Sequence, residues 1–503
     1  MPRAGCVTDP GGVGSEALQA NLGKVSGRPG MVSRRCWLVT LCASMCVFAA
    51  CSSGDSGASK RSLGGSVTTS GVPNATSTTP AVGPGDGWVT YFGDSGRSGV
   101  ALDGPASLGG LRSRWVSPSL DGDLYAQPLL VGSSVVIATE NDSVYLLDAS
   151  DGAVVWKTHL GEPIPGSSLP CGNVDPVGVT STPVVDASTN RIYVVGMVQP
   201  GRDMLFELDL SSGHVVDSVR VDAENADPLV HNQRAALSLS NGKLFIPYGG
   251  RYGDCGDYHG RVVSVSVKPS GLGSVTSYTL PTQGDGGFWA PPGAAVAGDG
   301  SLYLTSGNSS STTSYDYGNS VVRLSADLRL LDSFAPTNWA ALNRGDVDLG
   351  STGPVLVPGN RVFQVGKSGI GYLLDAQHLG GIGGQLHSGT VCNGGRAFGG
   401  VAHNANTLYV PCSKGVVQVI VSGDTFHVGW TAPLSKPGPT IIAGGAVWTV
   451  ATSDGDLIAL DPASGKTITS EPIGTVPSQF TSPAAGLGLI VVGAERRLTA
   501  FGV

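Results

Sequence analysis

The 503-residue sequence contains little charge and few aromatic side chains. Only 14% of its residues are Asp, Glu, Lys or Arg, and only 6% are Phe, Trp or Tyr. Its 30 basic residues are outnumbered by 38 acidic ones and form no basic stripe, so the sequence predicts no nucleic-acid partner. It has no CxxC pair, no GxSxG or HExxH motif and no Rossmann glycine motif, which argues against the zinc sites, hydrolases and dinucleotide-binding enzymes that carry these patterns.

Glycine, in contrast, is abundant, with 76 residues in the chain. Because glycine weakens helix interiors and suits tight turns, this content predicts many short strands joined by turns rather than a helical protein.

The N-terminal region has the pattern of an export signal. Residues 34–51, RRCWLVTLCASMCVFAAC, place two arginines before an apolar run and small residues before a cysteine, as in a signal peptide. The run over residues 36–50 is too short for a comfortable transmembrane helix. Residues 47–51, VFAAC, resemble a bacterial lipobox, which predicts lipidation of Cys51; ordinary secretory cleavage with an incidental Cys51 is the alternative. Residues 33–38 also resemble a twin-arginine signal, so both export routes stay open, and Met31 is an alternative start to Met1.

These features divide the chain into three parts. We expect residues 1–50 to be an upstream extension with a signal peptide, and residues 51–86 to be a lipidated cysteine followed by a flexible tether. The tether is rich in Ser, Gly, Thr and Pro and has too few apolar residues to bury a core. Residues 87–503 form the folded body. The predicted location is the extracytoplasmic face of the cell membrane, held there by the lipid.

One unit recurs throughout the body. Residues 126–161, AQPLLVGSSVVIATENDSVYLLDASDGAVVWKTHLG, contain four predicted strands separated by turns. Related units recur about every 40–50 residues, a period typical of β-propeller blades. The eighth unit ends after three strands, and residues 111–119, LRSRWVSPS, look like its missing fourth strand, with Trp115 placed as Trp156 is in the first unit. The sequence therefore predicts an all-β, eight-bladed propeller that this N-terminal strand closes, with seven blades as the alternative.

The unit VYLLDASDGAVVW resembles the repeat of the quinoprotein β-propeller family, named for pyrroloquinoline quinone (PQQ), and the resemblance covers nearly all of residues 88–503. Two kinds of protein in this family share the repeat. Alcohol and sugar dehydrogenases use PQQ and Ca²⁺, whereas non-enzymatic lipoproteins of outer-membrane assembly bind protein partners on the propeller face.

A sharper resemblance to the dehydrogenases lies between residues 285 and 375. By this resemblance, Trp289 would stack on the quinone and Asn308, in the segment TSGN, would ligate Ca²⁺. Asp346 or Asp348, in DVDLG, would be the catalytic base, and Lys367, in GKSG, would contact the quinone carbonyls.

Three features of the dehydrogenases are missing from the sequence. It has no adjacent cysteine pair, no Glu in residues 248–260, where those enzymes supply a Ca²⁺ ligand, and no CxxCH haem motif. We therefore interpret the chain as an exported, membrane-anchored lipoprotein that binds a ligand or protein partner on its propeller face. A PQQ- and Ca²⁺-dependent dehydrogenase is the first alternative, and a degenerate dehydrogenase that has lost its chemistry is the second.

Four cysteines lie in the body, an even number that fits two disulfides in an oxidising compartment. We favour a pair between Cys171 and Cys255 that fixes a loop, and a pair between Cys392 and Cys412 that links a hairpin. Spacing alone leaves all three possible pairings open.

Overall fold

The computed structural model describes residues 87–222 and 226–503, and nearly all of its regular structure is antiparallel β-sheet. The strands form eight sheets that are arranged as the blades of a β-propeller. The predicted eight blades are thus confirmed, and the seven-bladed alternative is wrong. The signal peptide, Cys51 and the tether lie outside the described residues and stay predictions, as does the boundary at residue 86.

The first four blades follow the chain after β1 (Arg112–Val116). Blade 1 contains β2 (Leu129–Val131), β3 (Ser134–Thr139), β4 (Ser143–Asp148) and β5 (Val154–His159). Blade 2 contains β6 (Val184–Asp186), β7 (Arg191–Val198), β8 (Arg202–Asp209) and β9 (Val215–Arg220). Blade 3 contains β10 (His231–Asn232), β11 (Ser238–Ser240), β12 (Lys243–Gly250), β13 (Arg261–Lys268) and β14 (Gly271–Thr279). Blade 4 contains β15 (Ala295–Val296), β16 (Leu302–Thr305), β17 (Val321–Leu324) and β18 (Leu330–Ala335).

The remaining blades continue in the same order. Blade 5 contains β19 (Val355–Val357), β20 (Arg361–Val365), β21 (Ile370–Asp375) and β23 (His387–Thr390), while β22 (Gly381–Ile382) pairs with β18 of blade 4. Blade 6 contains β24 (Ala402–Asn404), β25 (Thr407–Cys412), β26 (Gly415–Ser422) and β27 (Thr425–Pro433). Blade 7 contains β28 (Ile441–Ala443), β29 (Ala446–Ala451), β30 (Asp456–Leu460) and β31 (Thr467–Pro472). Blade 8 contains β32 (Ala484–Gly486), β33 (Leu489–Ala494) and β34 (Arg497–Gly502). Helical structure in the described ranges is limited to α1 (Trp339–Arg344) and the 3₁₀ turns Gly166–Ser168 and Leu349–Ser351.

The N-terminal strand closes the ring as the sequence predicted. Strand β1 pairs antiparallel with β34, so that Trp115 lies opposite Ala500 and completes blade 8. The indole of Trp115 donates a hydrogen bond of 2.8 Å to the carbonyl oxygen of Ala149, in the next blade. Its ring covers Gly152, where a Cβ would clash with it.

The same contact recurs elsewhere in the ring and explains the repeat. Trp156 of blade 1 covers Gly213 in the last turn of blade 2, and Trp430 of blade 6 covers Gly465 in the last turn of blade 7. Both glycines have positive φ, at 70° each, a conformation that also favours glycine. In these three places the tryptophan of one unit and the glycine of the next are therefore the two halves of a contact between neighbouring blades.

Residues 88–103 form an element that the sequence did not predict, which we call the axial plug. This segment hydrogen-bonds to the innermost strand or the adjoining turn of seven blades, so it lies across the propeller axis. Arg97 is its buried centre, donating to Thr90, to the carbonyl oxygens of Tyr91 and Leu237, and to Ser238, at 2.7–2.9 Å. Burial lowers the pKa of Arg97 to about 10.

The antiparallel order of the strands gives the propeller two different faces. Turns between the first and second strands of each blade lie at one face, and the plug contacts several of them, so we call it the plug face. Turns between the second and third strands, and the connections between blades, lie at the other, the loop face. Gly87, where the described chain begins, packs against Leu130 at the plug face. No helix in the described ranges is both long and apolar enough to span a membrane.

Both disulfides have the favoured pairing. Cys171 bonds to Cys255 and ties the connection between blades 1 and 2 to the loop between β12 and β13. Cys392 bonds to Cys412 and ties the connection between blades 5 and 6 to the end of β25.

Candidate functional site

The five residues that the family resemblance selected all lie on the loop face. Trp289 follows β14 in a connection between blades, and Asn308 follows β16 in a second-to-third strand turn. Asp346 and Asp348 belong to the connection between blades 4 and 5, and Lys367 to the turn between β20 and β21. The alternation of strand direction brings these separate segments to one face.

Four of the five converge through direct contacts around Lys367. Its Nζ lies 2.6 Å from Oδ2 of Asp348 and 2.8 Å from Oδ1 of Asp346. The same Nζ lies 5.7 Å from the ring centroid of Trp289, in the range of a cation–π contact. The other oxygen of Asp348 accepts a hydrogen bond of 2.6 Å from the backbone N–H of Asn308. Asn308 therefore joins the cluster through its backbone N–H, whereas the family resemblance predicted that its side chain would ligate Ca²⁺.

A glycine allows these groups to approach one another. A Cβ at Gly307 would lie 3.0 Å from Nε1 of Trp289 and 3.0 Å from Oδ1 of Asp348. Both neighbours would have to shift to accept it, so the small residue before Asn308 sets the spacing between the tryptophan and the carboxylate.

Lys367 holds its positive charge between two carboxylates. Burial alone would lower the pKa of Lys367, but the carboxylates of Asp348 and Asp346 raise it above its ordinary value. Lys367 is consequently an ammonium ion at neutral pH. Asp348 is 3% exposed and has one oxygen on that ammonium and the other on a backbone N–H. Both oxygens of this carboxylate thus have a partner, and its burial leaves little room for an alcohol to approach it.

The structure adds three residues that the sequence reading did not select. Phe480, from the connection between blades 7 and 8, meets the ring of Trp289 edge to face at 6.1 Å and the ring of Phe398 at 6.1 Å. The guanidinium of Arg234 lies over Phe480, with its Cζ 4.2 Å from the ring centroid. No local motif marks these positions, because each comes from a different connection between blades.

Arg234 carries a charge that no carboxylate balances directly. Its recorded side-chain hydrogen bond runs 3.3 Å from Nη2 to the hydroxyl of Ser478, and no acid in the described ranges forms an ion pair with it. Burial lowers its pKa, although Tyr125 and Glu140 nearby act to raise it. The side chain as a whole is half-buried at the loop face.

The oxygen donors of the cluster do not fit a bound Ca²⁺. Ca²⁺ takes six to eight oxygen ligands, generally with several carboxylates. Here Lys367 occupies the cation position beside Asp348 and Asp346, and the carboxylate of Asp254 accepts the hydroxyl of Tyr258 at 2.7 Å. Within residues 87–222 and 226–503, no three His, Cys, Asp or Glu side chains form a group able to hold a metal ion.

One nearby carboxyl group adds further negative charge. Asp285 lies between the Asp254 loop and the Asp348 cluster, and burial, followed by the charges of Asp254 and Asp257, raises its pKa to about 6. The loop face therefore has acidic side chains at blades 3 and 4, around Asp285. Arg234 lies apart from them, on the ring of Phe480.

Comparisons with known proteins agree with the repeat and the fold. A family model described as outer membrane protein assembly factor BamB matches residues 109–327. No curated protein matches the chain. A quinohemoprotein alcohol dehydrogenase from Pseudomonas putida is 15% identical, with a TM-score of 0.66 over 83% of this chain and 80% of that chain. The corresponding enzyme from Comamonas testosteroni is 15% identical, with a TM-score of 0.62 over 83% and 80%.

A europium-containing methanol dehydrogenase is 13% identical, with a TM-score of 0.62 over 83% of this chain and 98% of that chain. At such identities the likeness concerns the fold alone. Together, the matched repeat and the eight closed sheets show that the chain is a β-propeller built from the quinoprotein-type repeat.

Proposed function

We propose that this chain is an exported, membrane-anchored propeller lipoprotein that binds an anionic group at its loop face. The group belongs to a small ligand or to the chain end of a protein partner. The observation that carries the proposal is the state of Arg234, which lies on the ring of Phe480 and has no carboxylate partner in the described ranges. A half-buried guanidinium binds carboxylates strongly because it offers two parallel N–H donors.

The aromatic residues beside Arg234 support the same function. Trp289, Phe398 and Phe480 are half-buried and form a chain of edge-to-face contacts near the axis. Such rings supply apolar contact area to a ligand and limit the access of water to the guanidinium. The site therefore favours a carboxylate that carries an apolar or aromatic group.

A PQQ- and Ca²⁺-dependent dehydrogenase is the second candidate, and one observation favours it. Trp289, Asn308, Asp348 and Lys367 do lie together, as that function requires. The ammonium of Lys367 counts against it, because it already lies where a metal ion beside Asp348 would be, and the other oxygen of this buried carboxylate accepts the N–H of Asn308. We derive no reaction step through the cofactor.

The geometry around Gly87 fits a lipid anchor on Cys51. Gly87, where the described chain begins, lies at the plug face, opposite to Arg234. An anchored propeller would then keep its loop face accessible. Lipidation predicts a mass increase of the mature chain that is lost in Cys51→Ala, and an unchanged mass in that variant would contradict it.

A matched pair of probes tests the anionic site. We expect N-acetylphenylalanine to bind the full chain and its amide, N-acetylphenylalaninamide, to bind about tenfold more weakly, because only the acid pairs with Arg234. Isothermal titration calorimetry measures both. Arg234→Gln should remove the difference, whereas the exposed Arg329→Gln should keep it. Equal binding of acid and amide, or no binding of the acid, would refute the proposal.

A further inference from the structure

We propose that the plug face contains a second binding site, which takes a small organic cation with an apolar body. The site is a crevice of about 610 Å³ between the axial plug and the inner turns of several blades. This volume lies within the range of small-molecule sites in proteins. The crevice is on the opposite face from Arg234, so the inference is independent of the proposed function.

Every charged residue that lines the crevice is acidic, and the buried Arg97 beneath it lies close enough to Asp94 to offset part of that charge. Three aspartates line it: Asp94 and Asp103 from the plug segment and Asp186 from the first turn of blade 2. No Lys or Arg of the described chain is among its lining residues. Asp103 is exposed, and its Oδ2 accepts a hydrogen bond of 2.9 Å from the N–H of Leu487. Its orientation is therefore fixed while its negative charge remains available.

A buried histidine adds an unpaired polar atom to the same wall. His403 lines the crevice and is 5% exposed. Its Nδ1 lies 3.4 Å from the carbonyl oxygen of Ala405, and its Nε2 has no hydrogen-bond partner among the described residues. Burial lowers the pKa of His403, which keeps the ring neutral at pH 7. The neutral ring thus keeps Nε2 as a buried, unpaired polar atom in the wall of the crevice.

The rest of the lining is apolar. Val100 and Ala101 come from the plug, Val185 and Leu239 from blades 2 and 3, and Ala485 from blade 8. These side chains gain nothing from a bare inorganic cation, which would keep its water. An ammonium attached to an aliphatic or aromatic body satisfies both parts of the crevice, since the charge meets the carboxylates and the body replaces water on the apolar wall.

Three probes with the same body and different charge test this inference. We expect phenethylamine, a cation at pH 7, to bind the full chain with a measurable dissociation constant in calorimetry. The neutral 2-phenylethanol should bind at least about fivefold more weakly, and the anion phenylacetate more weakly still. Raising the salt concentration should weaken phenethylamine binding and leave that of the alcohol unchanged.

Two variants locate the cation. Asp103→Asn and Asp94→Asn keep the shape of each side chain and remove its charge, so each should weaken phenethylamine binding about fivefold. Asp151→Asn, on an exposed turn of blade 1, is the matched control and should have no effect. Unchanged melting temperatures would verify that the variants fold, and Arg234→Gln should bind phenethylamine like the wild type.

The inference fails if the alcohol binds as tightly as the amine, or if no probe binds. It also fails if both aspartate variants fold normally and retain wild-type affinity for the amine. If the chain binds phenethylamine but does not bind N-acetylphenylalanine, only the loop-face proposal is refuted.

Discussion

Replacing the buried Asp142 by Asn should stabilise the protein at neutral pH. Asp142 lies in the turn between β3 and β4, is fully buried, and neither of its carboxyl oxygens has a hydrogen-bond partner in the described ranges. Burial, followed by the nearby charges of Glu140 and Asp203, raises its pKa to about 9. The folded state therefore holds a proton that the unfolded chain, with an ordinary pKa of about 4, releases at pH 7.

The size of the effect follows from proton linkage. Because the folded-state pKa is raised, the folded protein binds more protons, and its stability falls as the pH rises from about 4 to about 9. A pH of 7 lies about three units above the pKa of Asp142 in the unfolded chain, and each unit corresponds to about 1.4 kcal/mol. Holding the proton at pH 7 therefore costs the folded state about 4 kcal/mol. Asn carries no such proton but keeps one unsatisfied amide, so we expect a net gain of about 2–4 kcal/mol at pH 7.

Urea denaturation of the full chain at several pH values measures this gain. The difference in free energy of unfolding between Asp142→Asn and wild type should grow from near zero at pH 4 to about 2–4 kcal/mol at pH 7, and should reach its full value near pH 9. Asp151→Asn is the control, because this exposed carboxylate accepts a hydrogen bond of 2.9 Å from Ala153 that Asn also accepts. A difference that does not change with pH, or a variant that is less stable at pH 8, would refute the reasoning.

Three further predictions concern stability. Lys367→Met leaves Asp348 buried without its cation, so the variant should lose about 3–5 kcal/mol at pH 7. It should lose much less at pH 4, where the folded variant holds a proton on Asp348 and about half of the unfolded chains do as well; an equal loss at both values would contradict this. Replacing Cys171 and Cys255 together by Ala opens a covalent loop of 84 residues, and the free energy of unfolding should fall by about 4–5 kcal/mol. A variant as stable as the oxidised wild type would contradict this. Arg97→Ala removes four buried hydrogen bonds in the plug and should cost more than about 3 kcal/mol in the same assay, whereas a near-neutral effect would show that the plug contributes little.

The sequence predicted the ring and its closure because these depend on a repeated local pattern. Trp115 and Trp156 occupy equivalent strand positions, and each covers a glycine in the following blade. The axial plug has no such pattern. Its path depends on the buried Arg97 and on contacts with seven separate blades, which no period in the sequence reveals.

The candidate site was predictable only in part. Family resemblance selected residues that do come together around Lys367. It did not reveal that Lys367 pairs with Asp348, because that distance depends on how the connection before blade 5 folds back onto the turn between β20 and β21. Arg234 and Phe480 were missed for the same reason, since neither lies in a recognisable motif and their contact forms only when the ring closes.

The central claim is that the loop face binds an anionic group and does not oxidise alcohols. The most direct test adds PQQ and Ca²⁺ to the full chain and follows dye reduction with a panel of alcohols and aldoses. We expect no dye reduction that requires both PQQ and Ca²⁺, because Lys367 holds the carboxylates that Ca²⁺ and a catalytic base would need. Reduction that depends on PQQ, Ca²⁺ and the alcohol together, and that disappears in Asp348→Asn, would contradict it.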